Sequence, residues 1–105
     1  MEDYNNMMDY QTIMRKTAEA KQVVQEVLEE VKEFSPEDVI VLEAKFVNNL
    51  FGEVLQALEM AGKLILSDSY EERCNGIIKY RYAAGLLAII EKECRQIKVS
   101  LPLVA

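Results

Sequence analysis

The residues with the most capacity for chemistry in this sequence are carboxylates. The stretch EVLEEVKEF, from Glu26 to Phe34, sets Glu26, Glu29, Glu30 and Glu33 at spacings of three and four. On a helix those spacings bring side chains to one face, where paired carboxylates could do chemistry together. Glu43 is a different case. By helical angle it falls among Val39, Leu50 and Val54, where a buried carboxylate is costly unless paired and its pKa rises. It is expected to reach water at a rim, to pair with a cation such as Lys79 or Arg73, or to mark an interface.

Other nucleophiles and bases are few. The chain has no His, which removes Ser–His–Asp and Cys–His systems, imidazole bases and His metal ligands. Cys74 and Cys94 are not in a CxxC pair. On one helix they stand ~30 Å apart, too far for a disulfide within the chain, so both are expected as inert thiols. The stretch KYRY, Lys79 to Tyr82, sets two cations beside two phenols, as a phosphate or base site would. At 100° per residue they separate: Tyr82 is expected inside and Arg81 outside. What remains is a stripe of Arg81, Ala84, Gly85, Ala88, Lys92 and Arg95, whose small residues would let another helix approach.

The acidic array EVLEEVKEF resembles the Mg²⁺-binding glutamates of all-α nucleotide pyrophosphohydrolases of the MazG type, and that resemblance implies Mg²⁺-dependent nucleotide hydrolysis. Such sites also carry an acidic pair, ExxD, on the following helix. Here the second helical segment has Glu43, Glu53 and Glu59 without that pair, and the third has Glu91 and Glu93. The resemblance stops at its first half. A solvated acidic face is expected, with no catalytic residue, no metal and no cofactor.

Three helical segments must position these groups. The first, about residues 5–33, carries a seam of Tyr10, Ile13, Thr17, Ala20, Val24, Val27, Val31 and Phe34, whose spacings alternate three and four, as a helix packed lengthwise on others requires. A break follows at FSPEDV. Ser35 is suited to cap a helix starting at Pro36, with Asp38 three residues after the cap. The second segment, about 36–66, has an apolar arc of roughly half its circumference, wider than the ~100° stripe of a surface helix. It is therefore expected to touch both other helices or a second subunit. After SDSYEE, where Ser69 and Glu72 form a capping-box pattern, a third helix is expected over about 70–98. Pro102 argues against helix in the apolar tail 99–105, which should fold back on the bundle or form a sticky surface. The fold class predicted is all-α: an antiparallel up-down-up three-helix bundle in a single domain, 1–105, with dimerisation plausible.

Charge bounds the function. The chain of 105 residues has a net charge of −6, which disfavours nucleic acid and anionic membranes as partners. The longest apolar-or-Gly run, YAAGLLAII, is nine residues, far short of a membrane span. The acidic, polar start MEDYNN is unlike a signal peptide, and the expected location is cytoplasmic. Residues 26–43 hold seven acids, Glu26, Glu29, Glu30, Glu33, Glu37, Asp38 and Glu43, against Lys32 alone. Residues 79–98 hold five bases against two acids. In an up-down-up bundle these two ends lie side by side, so internal charge matching is the plain reading. The functional expectation is a non-catalytic protein–protein interaction module that self-associates. The alternative is a small acidic inhibitor or adaptor, like phage-encoded antagonists, that sets its 26–43 corner on a basic protein surface.

Overall fold

The computed structural model describes residues 10–104. Helix α1 spans Tyr10–Glu30, α2 Val39–Ile65 and α3 Tyr70–Val104. The predicted start of the first helix at residues 5–9 lies outside the described residues. Two contacts set the direction of α1 against α3: the Tyr10 and Tyr80 rings meet edge-on at 6.3 Å, and Lys98 reaches Glu26 at 2.7 Å. Both numbers rise together, so α1 and α3 run parallel. Tyr82 bonds to Glu53 while Gly76 abuts Ile65, so α2 runs antiparallel to α3. The up-down-up bundle is thus as expected, with its most extensive packing between α2 and α3. Its length of 53 Å matches the ~52 Å of a 35-residue helix, α3.

The heptad seams make the core. Ile13, Thr17, Val24 and Val27 on α1, and Val31 just past its end, are buried as their spacing predicts. Thr17 is the one buried polar residue among those described, and its hydroxyl donates to the Ile13 carbonyl at 2.7 Å, satisfying itself locally. On α2, Ala44, Val47, Phe51, Val54, Leu58 and Ala61 keep the same alternation of three and four, and on α3 so do Ala83, Leu87, Ile90, Cys94, Ile97 and Leu101. That period keeps each seam facing its neighbour over the full length.

Four local expectations are corrected. The start of α2 is not Pro36: Asp38 is the cap, extended at φ −64, ψ 140, and its carbonyl accepts the first helical N–H groups, from Val41 and Leu42. The Ser35–Asp38 turn closes on itself first. The Asp38 N–H donates to the Ser35 carbonyl and the Ser35 N–H to the Asp38 carboxylate, so Ser35 does not cap. At α3 the capping box is half formed. The Glu72 N–H donates to Ser69 Oγ at 3.3 Å, but the Glu72 carboxylate takes the Ser67 hydroxyl instead of the Ser69 N–H. The tail also departs: α3 continues through Pro102 to Val104, with Leu101 against the core and Val99 and Leu103 exposed. Proline deprives only the Lys98 carbonyl of its helical donor there, and no further turn has to be bent past its ring. Finally, Tyr82 is not a core aromatic. It is 48% exposed, and Ile78 and Ile89 beside it are also exposed.

One close approach went unread in the sequence. Gly76 is buried where the start of α3 crosses the end of α2. A Cβ there would sit 3.0 Å from Ile65 Cγ1 and 3.1 Å from the Ile65 backbone nitrogen. Any larger residue would have to push the Ile65 backbone away by a few tenths of an ångström, and glycine avoids that. Arg73 ties the same corner, donating to the carbonyls of Ser67 and Asp68 at 2.9 Å each.

Candidate functional site

The acidic corner is built by the end of α1, the 31–38 turn and the first turns of α2. Its charge matching is partial. Glu26 accepts from Lys98 at 2.7 Å, and this hydrogen bond, helped by the lysine's charge, holds its carboxyl below the ordinary glutamate range. Lys98 is pushed up by the same bond. Glu29 takes Lys32 at 2.9 Å, and Asp38 is spent on the Ser35 turn. Acids at a helix C-terminus oppose the dipole, and Lys98 and Lys32 relieve them. Glu30, Glu33, Glu37 and Glu43 stay exposed, with no salt bridge among the described residues. Glu43 therefore lies at the rim, in water, and Arg73 is committed to the loop carbonyls. Among the described residues no group of three or more Cys, Asp or Glu side chains is placed to hold a metal ion.

The α3 stripe is at the surface. Arg81, Gly85, Ala88, Lys92 and Arg95 are exposed and Ala84 is half-buried. Arg95 pairs with Glu91 on its own helix at 2.9 Å. The stripe is not one continuous face. Ala88 turns toward α1, where with Lys16, Glu19, Ala20, Leu87 and Glu91 it lines a groove of about 260 Å³, below the usual volume of a small-molecule site. Gly85 turns the other way, onto the open side of the α2/α3 pair.

That open side is the feature the sequence reading missed. Besides its core seam, α2 carries a second run at the same spacings: Val39, Leu42, Phe46, Asn49, Glu53, Gln56 and Met60, all exposed. Helix α3 does likewise with Ile78, Tyr82, Gly85, Ile89, Lys92, Gln96, Val99 and Leu103. The Tyr82 hydroxyl donates to Glu53 at 2.9 Å, which joins the two runs into one face. Glu53 in turn raises the Tyr82 phenol, first through that bond and then through its charge. Helix α1 covers the other side, so this face has no neighbour among the described residues. The signal available in the sequence was the doubled heptad pattern, which a search for one stripe per helix passes over.

The cysteines are both free, Cys94 buried and Cys74 half-buried, and burial pushes the Cys94 thiol up. No helix among the described residues is long and apolar enough to cross a membrane. No protein-family model, curated protein or solved structure matches the chain.

Proposed function

We propose that this protein is a non-catalytic helical interaction module that docks protein through the open α2/α3 face. The observation that carries the reading is the second heptad run on each of two adjacent helices, with Phe46, Tyr82 and Ile89 each about half exposed. A 3-4 repeat of that kind suits lengthwise packing against further helices, and exposed Leu42, Phe46, Met60, Ile78, Tyr82 and Ile89, set among polar Asn49, Glu53, Gln56 and Lys92, give the face the mixed character of an interaction site. The test is affinity purification of the tagged protein from its source cells, wild type against Ile89→Lys, with mass spectrometry of what is retained. A polypeptide, or untagged copies of the chain itself, held by the wild type and lost from the variant supports the reading. Identical recoveries from the two sink it.

A second reading rests on the exposed acids Glu30, Glu33, Glu37 and Glu43: the corner they form docks on a basic protein surface, as an inhibitor or adaptor would. The same purification decides it. Glu30→Lys with Glu33→Lys then removes the partner while Ile89→Lys retains it, and added salt weakens the capture. Retention by the charge-reversed variant removes this reading.

A further inference from the structure

Given that the open α2/α3 face is a docking surface, we infer that its occupant is a second copy of this chain, related by a two-fold axis that passes close to Gly85. The argument begins with the height of each residue along the bundle. The Tyr82–Glu53 bond puts those two level. Moving two turns along the antiparallel pair sets Phe46 level with Ile89. Moving two turns the other way brings Met60 to within one turn of Ile78. The large exposed side chains Met60, Ile78, Tyr82, Ile89, Phe46 and Leu42 thus follow one another along one strip, with Asn49, Glu53, Gln56 and Lys92 between them. At about 1.5 Å per residue the strip is ~27 Å long, and its midpoint falls within one residue of Gly85.

A symmetric dimer needs a face that is complementary to itself under a two-fold rotation. This strip meets that condition. A half-turn about Gly85 carries Tyr82 to within one residue of the level of the partner's Ile89, and Phe46 and Leu42 to within a turn of the partner's Ile78 and the partner's Met60. The larger side chains stand off the centre, where the chain has glycine. A Cβ built on Gly85 meets nothing within 4 Å among the described residues, so the packing of the bundle does not call for glycine there. At a two-fold crossing it lets two α3 helices approach closely. The area is adequate as well. The six side chains leave between 45% and 57% of their surface in water, roughly 600 Å² per copy, which in a pair reaches the lower bound of a specific interface. An interface of that size gives a reversible dimer of four packed helices flanked by the two α1 helices.

The test uses the full chain. Sedimentation and light scattering over about 1–100 µM should show the 12.0 kDa monomer passing reversibly to a dimer. Because each copy carries −6, added salt should strengthen the dimer. Phe46→Lys with Ile89→Lys should weaken it at least tenfold, with helical content unchanged by circular dichroism. Should that variant misfold, a second one decides. Gly85→Cys in a Cys74→Ser background should be captured as a dimer by a short bis-maleimide, and Gly52→Cys, on the polar side of α2, should not. A single monomer throughout the series overturns the inference, as does a dimer untouched by the lysines or a failure of Gly85→Cys to cross-link. If the chain is monomeric while Ile89→Lys still loses a captured polypeptide, the second-copy inference fails and the docking reading stands.

Discussion

Ile89 and Ile90 are neighbours in sequence, identical in chemistry, and differ only in where α3 turns them. Ile90 is 0% exposed and Ile89 45%. Replacing Ile90 by Ala removes three buried carbons, a transfer loss of ~2.4 kcal/mol at about 0.8 per carbon. The unfilled space adds to this, for a total of about 3–4 kcal/mol, within the range of such core truncations. Alanine's better helix propensity returns a few tenths. Replacing Ile89 loses roughly half the transfer term and leaves no enclosed void, so the cost is about 1 kcal/mol or less. Urea denaturation followed by circular dichroism at about 1 µM reads both values directly. Ile90→Ala should lower the midpoint severely and Ile89→Ala slightly. Repeating the measurement at about 100 µM adds the dimer. The wild type should then gain stability and Ile89→Ala should gain much less, so the gap between those two widens with concentration while the Ile90 penalty at low concentration stays where it was. Equal losses for the two isoleucines in the dilute series would refute the assignment of faces on α3.

The glycines give opposite signs. Gly52→Ala and Gly85→Ala meet nothing within 4 Å and should stabilise the monomer by up to ~1 kcal/mol through helix propensity. Gly76→Ala forces its Cβ to 3.0 Å from Ile65 Cγ1 and should lower the thermal midpoint. A midpoint raised by Gly76→Ala would contradict the close crossing of α2 and α3. The Glu26–Lys98 pair links stability to pH at both ends. Glu26 titrates low, so its contribution is present above its unfolded pKa and is lost as pH falls through the folded one. Lys98 titrates high, so its contribution holds below the ordinary lysine value and is lost as pH rises past the folded one. In Lys98→Met the Glu26 carboxyl, followed by NMR, should move up to the ordinary glutamate range; a titration that does not move would break the assignment of cause.

Much of the fold could be read from the sequence because its causes are local and periodic. The 3-4 spacing from Ile13 to Val31 fixed which face of α1 is buried. The scarcity of Gly and Pro, with breaks near residues 35 and 68, set the number of helices, and parity then made α1 and α3 parallel. That was enough to place the basic end of α3, with Lys98, at the same end of the bundle as the acidic end of α1, with Glu26. Exposure of most of the acidic corner also followed, since seven acids against one base cannot all be buried, whereas Glu43, which falls within the apolar arc by helical angle, was placed in water only by the packing.

What the chain alone did not decide depends on partners in space. Asp38 took the cap from Ser35 because the turn's own hydrogen bonds had already claimed both residues. Pro102 stayed helical because only the final turn lies beyond it. Tyr82, Ile78 and Ile89 have the right spacing for a core and are nonetheless exposed. A helix in a three-helix bundle has only two neighbours, and α1 and α2 together cannot cover the whole apolar arc of α3. Sequence periodicity counts apolar faces; how many of them find a neighbour is a matter of how many helices the chain has to offer. Here two helices carry two seams each, the bundle fills one on each, and the pair left open around Gly85 is visible only after packing has used up the others.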